Sequence, residues 1–509
     1  METSASSRLL RHGVRIALFC LVGAILAGCL PESESDASSN TTVVASKKGN
    51  SFRLERNGAE QPSARVATTD RWGERDSASP AQEAAIYTAG TTSLSADDAS
   101  PQIPSIEEIP EVPANVALSG FFSALSRLEK GSEGSVTILH IGDSHIAADR
   151  FSGALREQFQ SRFGDAGRGM LTPGLYLARG VKFDRGGKWR VQLSTGEASG
   201  PFGVTGSKLT AAKPDAWLRL TAKDQPFSWS EVTLDSGPGN GSLLISLDGQ
   251  VKEAPTSAPE RGWRNLRLEN AARELLLRPK GDGPVTIHSI AIGTDNPGVR
   301  YVNLGLPGAT ALTPLSWDQE YVDGDMRRVS PDLIVFSYGT GESFNDELDL
   351  RDYEARASVA IARLRRSAPK ASLLVIGPPD VAQTPKFASR SVRVSNVCRA
   401  LSPTERAEYA EKIKAGDPRL ARWHPPLNLA AVRATLRRLA AAHNAFFWDW
   451  SKLMGGPCGI HAWVHSKPPL AAKDHIHLTE EGSKKAARLL FREVMTAYDS
   501  MYLTTSAKK

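Results

Sequence analysis

The chain has 509 residues, with 62 Lys and Arg against 56 Asp and Glu, a formal net charge of +6 and a pI near 9.0. That mild basic excess is spread along the chain, and no compact Lys/Arg run with interleaved aromatics appears, which argues against nucleic acid as a partner. Once the N-terminal region is set aside, about 395 residues remain, enough for one large domain plus an insert.

Arg8, Arg11 and Arg15 give a positive start, and Ile16 to Ile25 is an apolar run too short for a comfortable transmembrane span. The run ends in Leu26-Ala27-Gly28-Cys29, which resembles a bacterial lipobox. The resemblance implies a lipoprotein signal peptide over residues 1–28, cleavage before Cys29 and lipidation of that cysteine, so that acyl chains anchor a protein that does not span. The other reading is an ordinary signal peptide with a chance cysteine. By analogy with such lipoproteins, Leu30 rather than Asp after the cysteine leans towards the outer membrane. Residues 29–115 are rich in Ser, Ala, Thr, Glu and Asp with almost no apolar periodicity, the composition of a disordered tether. Cys20 leaves with the signal, so Cys398 and Cys458 remain in a compartment that permits disulfides. A bond between them closes a loop of about 60 residues and stabilises by about 4 kcal/mol on the chain-entropy picture; the alternative is two unpaired structural cysteines.

After the tether, Leu118 to Lys130 reads as an amphipathic helix. The strand Val136–Ile141 runs into Gly142-Asp143-Ser144-His145, and Asp149 to Phe163 reads as helix, with Phe151, Leu155, Phe159 and Phe163 at four-residue steps. From Val181 to Thr294 the pattern turns to short alternating runs such as Ala216–Thr221, Ser228–Leu234, Ser242–Leu247 and Val285–Ile292, punctuated by Gly, Pro and Asp. That predicts an antiparallel β-sandwich of about 110 residues. Trp189, Trp217, Trp229 and Trp263 lie in it and read as core, the alternative being exposed platforms for sugar rings. The α/β pattern resumes at Tyr301–Thr310. Strands Leu333–Ser337 and Leu373–Ile376 flank a helix Tyr353–Arg366. A helix Leu427–Ala442, a buried strand Ala445–Asp449 and a final helix Glu480–Tyr498 follow. The order predicts a three-layer α/β domain interrupted by the sandwich.

Ser144 follows a buried strand and precedes a helix, where parallel sheets place their sites; a plain strand-to-helix cap gives the same local pattern. More than three hundred residues on comes Asp474-His475-Ile476-His477. The three-residue spacing brings the Asp474 carboxylate beside the His477 ring, leaving Nε2 to take the Ser144 proton. His475 has no assigned role and reads as a surface or packing residue. Ser, Asp, His is the chain order of α/β hydrolases, but the turn lacks their Gly-x-Ser-x-Gly elbow. A hydrolytic metal site from Asp143, His145, Asp474, His475 and His477 is a further arrangement, one that leaves the serine without a task.

The chain resembles the SGNH (GDSL-like) esterases and, within them, the peptidoglycan O-acetylesterase-like group of bacterial cell envelopes. The residues that carry this are Gly142–Asp149, Arg162–Gly169, Leu304–Thr310 and Asp474–His477, with Phe447–Trp450 and Met454-Gly455-Gly456 between them. The resemblance implies a flavodoxin-like parallel sheet in two parts, residues 116–185 and 296–500, around a carbohydrate-binding-module-like β-sandwich at 186–295, with 501–509 as a tail. It implies catalysis by Ser144, Asp474 and His477 without metal or cofactor, and an oxyanion held by the backbone N–H groups of Ser144 and Gly308. One position departs from the group. Its third block reads Gly-Thr-Asn-Glu, whose Asn donates to the oxyanion, whereas Gly339-Thr340-Gly341-Glu342 places Gly341 there. Losing one such donor costs about 100- to 1000-fold in rate; Asn345 and Asn303 are the nearest substitutes in sequence. The expected function is a lipid-anchored, periplasm-facing or outer-membrane serine esterase that removes acyl groups, above all O-acetyl, from envelope polysaccharide or peptidoglycan. Acyl transfer to a glycan by the same triad, and a glycan-binding lipoprotein with weakened catalysis, are the alternatives.

Overall fold

The computed structural model describes residues 111–502, apart from 177, 197, 199 and 389–393. The signal peptide, Cys29, the tether up to residue 110 and the tail from 503 lie outside the described residues. Among the described residues, no helix is long and apolar enough to cross a membrane.

Five parallel strands make the central sheet: β1 (Ser135–Gly142), β2 (Gly298–Gly305), β3 (Leu333–Ser337), β4 (Ser372–Gly377) and β5 (Phe446–Asp449), in the spatial order β2-β1-β3-β4-β5. Their sequences are nearly continuous apolar runs because both faces are covered. Val136 and Ile138 point to one face, under helices α1 (Ser119–Glu129), α3 (Phe151–Phe163) and α9 (Glu480–Tyr502). Leu139 and Ile141 point to the other, under α4 (Gln319–Val329), α6 (Leu350–Ser367) and α7 (Leu429–Ala442). Phe121, Phe122, Phe151 and Tyr498 are fully buried on the first face, each such side chain contributing about 1.5–3 kcal/mol through removal from water. The helix expected from Asp149 begins at Phe151. Asp149 sits at φ +47°, and its carboxylate accepts from Ser152 Oγ at 3.0 Å, Asn303 Nδ2 at 2.9 Å and the Arg179 N–H at 2.6 Å, so it ties three segments together instead of starting a helix.

The insert is two antiparallel sheets. One holds Gly262–Leu268, Trp229–Ser236, Val285–Gly293, Ser207–Ala211 and Arg190–Leu193, with Gly169–Leu171 paired to Val285–Gly293; the other holds Val181–Gly186, Trp217–Ala222, Glu274–Pro279, Ser242–Leu247 and Gln250–Pro255. The β-rich unit therefore starts before the expected boundary at 186, because Val181–Gly186 pairs along its length with Trp217–Ala222. Leu218, Leu220, Val232, Leu234, Ile245, Leu275, Leu277 and Ile287 fill the space between the sheets. Trp229 is buried, with the Arg267 and Arg300 guanidinium groups 4.2 and 5.1 Å from its ring, and Trp189, Trp217 and Trp263 are half-buried.

Candidate active site

Register assembles the site. Gly142 of β1 lies level with Gly305 of β2 and Ser337 of β3, so Asp143-Ser144, Leu306–Thr310 and Tyr338–Gly341 leave the sheet at one edge, the carboxyl edge where such sheets bind ligands. Gly142 has no room for a side chain: a Cβ there would lie 2.4 Å from Ile146 Cγ1 and 2.6 Å from the Ser337 carbonyl oxygen. The chain can thus turn tightly into helix α2 (Ser144–Ala147), whose cap is Asp143, accepting the His145 N–H at 2.9 Å.

Ser144 Oγ lies 3.0 Å from His477 Nε2, and His477 Nδ1 lies 2.7 Å from Asp474 Oδ2. A carboxylate only accepts, so Nδ1 carries the ring proton and Nε2 faces the serine as an acceptor. The other Asp474 oxygen accepts the N–H groups of Ile476 at 2.9 Å and His477 at 3.0 Å. Burial pushes the Asp474 carboxyl up, but the hydrogen bonds from the His477 ring and from these backbone groups outweigh it and hold the carboxyl well below its ordinary range. The Asp474 and His477 side chains stay 45% and 42% exposed, so this hydrogen-bonded arrangement opens directly to solvent.

Sequence reasoning gave His145 no part beside Ser144, Asp474 and His477, yet it binds the two halves of the site. Its Nδ1 lies 3.2 Å from Asp143 Oδ1 and its Nε2 3.0 Å from the Ile476 carbonyl oxygen. Both partners accept, so both ring nitrogens donate and the ring is an imidazolium. Burial opposes that charge, but the Asp143 carboxylate prevails and raises the His145 pKa above its usual value. Its only sequence signal is its place directly after the serine. Glu342 is a second such residue. Its Oε1 accepts the Ala311 N–H at 2.7 Å and faces the Tyr353 hydroxyl at 3.3 Å, which fixes the loop carrying Gly308. His140, on β1 itself, is buried with Nδ1 2.8 Å from the Tyr301 hydroxyl, and burial holds its pKa down to about 3, so it is neutral.

Gly308 follows β2 at φ +78° with open space around its Cα, exposed beside Pro307. Among the described residues, the N–H groups of Ser144 and Gly308 meet no acceptor, as an oxyanion site requires. Gly341 lies in helix α5 (Thr340–Ser343), and a Cβ there would stand 3.7 Å from Thr310 Cγ2 and 3.8 Å from the Ala309 carbonyl oxygen. The position thus borders the Gly308 loop. Neither nearby asparagine replaces its missing amide. Asn303 Nδ2 donates to the Ile146 carbonyl at 3.0 Å and to Asp149 at 2.9 Å. Asn345 is exposed and caps its own turn, its Oδ1 accepting the Glu347 N–H at 3.1 Å.

The five residues weighed as a metal set do not converge. His145 is occupied by Asp143 and Ile476, and His475 turns away from His477 to put Nε2 2.9 Å from His461 Nδ1. His475 is not a surface residue, being buried at 3% exposure. Cys398 and Cys458, 60 residues apart, are joined as a disulfide.

Residues 260–490 match the family GDSL-like Lipase/Acylhydrolase. The match opens inside the insert, which separates Ser144 from the rest of the domain. A solved structure described as "Peptidoglycan O-acetylesterase in action, 5 min" is 25% identical, covers 77% of this chain and 99% of its own, and superposes with a TM-score of 0.61. A family two carbohydrate esterase from Cellvibrio japonicus is 11% identical over 65% of this chain and 98% of its own, with a TM-score of 0.22. A putative GDSL-like lipase from Parabacteroides merdae is 14% identical over 40% and 73%, with a TM-score of 0.25. Among curated proteins no sequence matches the chain. Fold and family match together define a carboxylic-ester hydrolase of the three-layer α/β type. The chain is thus similar to GDSL-like, or SGNH, acylhydrolases, and a β-rich insert interrupts its α/β domain.

Proposed function

We propose that this enzyme removes O-acetyl groups from peptidoglycan or a related envelope glycan through an acyl-serine intermediate. The observation that carries the reading is the relay Asp474–His477–Ser144, at 2.7 and 3.0 Å. Ser144 Oγ attacks the ester carbonyl carbon as its proton passes to His477 Nε2, and Asp474 steadies the imidazolium. The Ser144 and Gly308 N–H groups take the oxyanion. The carbon–oxygen bond to the sugar breaks, and the sugar oxygen leaves with the proton from His477. Water then gives a proton to His477 and attacks the acyl-serine; acetate departs and the proton returns to Ser144. A triad this open suits an acyl group on a bulky polymer, and the similarity to a peptidoglycan O-acetylesterase supports the glycan. The lipobox-like Leu26–Cys29 supports attachment to the envelope through Cys29, where metabolic labelling with a fatty acid is expected for the native chain and absent for Cys29→Ser.

The test is acetate release from O-acetylated peptidoglycan by the full chain. Wild type is expected to release acetate and Ser144→Ala to stay at background. Equal release by both, or none from a folded wild type, would overturn the proposal.

A further inference from the structure

Three histidines converge beside the triad. Helix α8 (Gly459–Val464) carries His461, and His465 ends it four residues on, so both rings lie on one side. His475 comes from the loop between Asp474 and His477. The ring centroids of His461 are 4.6 Å from those of His465 and 5.1 Å from those of His475, and one nitrogen from each of the three rings lies within 4.8 Å of the others. Among the described residues this is the group whose ligand-type atoms meet in this way.

Protons in the cluster are arranged for a cation. His475 Nδ1 lies 3.0 Å from the Lys473 carbonyl oxygen. That oxygen only accepts, so Nδ1 holds the proton and Nε2 turns its lone pair towards His461 Nδ1, 2.9 Å away. A backbone carbonyl fixing the tautomer of a ring in this way is what surrounds metal-bound histidines. Without a cation the 2.9 Å contact is an imidazole–imidazole hydrogen bond with His461 as donor.

The frame is rigid. The His475 ring is stacked on Trp423 at a centroid distance of 3.6 Å and an angle of 20°. Trp423 pairs with Cys398, and the disulfide from Cys398 reaches Cys458, the cap of α8. Asp380 holds the same helix end by accepting the Ile460 N–H at 3.0 Å. His475 itself is kept at φ +57°, a conformation that persists where its surroundings impose it.

We propose that His461, His465 and His475 form a binding site for a divalent transition-metal ion of the zinc type, joining α8 to the loop that carries Asp474 and His477. Three neutral imidazoles suit zinc, copper or nickel and do not suit magnesium or calcium, which take oxygen ligands. Tetrahedral zinc with bonds of about 2.0–2.1 Å needs ligand nitrogens about 3.4 Å apart, a small opening of the 2.9 Å pair and a closing of His465. His465 is exposed, so the fourth position faces solvent.

The test is titration of the metal-stripped full chain with Zn2+, followed by calorimetry and by thermal melting. Wild type is expected to bind one Zn2+ through this cluster and to melt at a higher temperature with it. His465→Ala, at an exposed position, and His461→Gln are each expected to weaken Zn2+ binding at least tenfold and to lose the shift in melting temperature, while melting like wild type without metal. Co2+ is expected to give a tetrahedral visible spectrum with wild type that His465→Ala lacks, and Mg2+ to give no shift. Absence of Zn2+ binding by wild type, or binding and melting shifts unchanged in both variants, would overturn the proposal.

Discussion

Gly341 offers a gain-of-function test of the oxyanion site. The proposed donors there are the Ser144 and Gly308 N–H groups, and position 341 adds no side-chain donor, since glycine has no side chain. One donor to a developing oxyanion contributes about 3–4 kcal/mol. Fixing an asparagine side chain costs about 1 kcal/mol of rotamer freedom, which leaves about 2–3 kcal/mol, or roughly 30- to 150-fold in rate. Space is available: a Cβ at 341 meets only Thr310 Cγ2 at 3.7 Å and the Ala309 carbonyl at 3.8 Å, ordinary contacts. Gly341→Asn should therefore raise kcat for 4-nitrophenyl acetate by that factor with KM nearly unchanged, because the new hydrogen bond forms in the transition state and not with bound ester. The rate must vanish in Gly341→Asn with Ser144→Ala. A folded Gly341→Asn that hydrolyses no faster than wild type would refute the reasoning, showing that the site lacks no donor or that position 341 does not face it.

Three further outcomes follow from named contacts. His145→Ala leaves the Asp143 carboxylate buried without its partner and frees the Ile476 carbonyl; denaturant unfolding should show a loss of about 3 kcal/mol, and kcat should fall at least tenfold. Burial pushes Glu342 up to about 7 from 4.5, so between those values the unfolded chain releases a proton that the folded chain keeps, and stability falls as pH rises through that window, by about 3 kcal/mol. Melting curves from pH 4.5 to 8 should therefore decline less steeply for Glu342→Gln than for wild type; parallel curves would contradict the assignment. Cys398→Ser should lower stability by about 4 kcal/mol, an effect that reduction of wild type reproduces in the same unfolding assay.

Local pattern revealed the strands of the central sheet and the first helices, because burial on both faces of a sheet leaves a continuous apolar signature in segments such as Val136–Ile141. The serine at the end of β1 and the Asp474–His477 spacing were legible for the same reason: each is a short-range arrangement. What escaped was carried by contacts between distant segments. The bond from His145 to Ile476 spans 331 residues, and nothing in the sequence near either announces it. His475 read as a packing or surface residue because its partners, Trp423 and His461, are assembled by the disulfide and by strand pairing. Helix α4 was missed although Val322, Met326 and Val329 have helical spacing and Asp318 caps its start. Polar residues dominate its other positions, and its apolar stripe acquires meaning only against the sheet.

The central claim is that Ser144 is a nucleophile activated by His477 and Asp474. Its most direct test is covalent labelling of the full chain with a phosphonylating serine-hydrolase reagent, read by peptide mass spectrometry. The account predicts one modified residue, Ser144, labelled quickly in wild type and much more slowly in His477→Ala and Asp474→Asn. Label on another serine, or equal labelling rates in all three proteins, would contradict it.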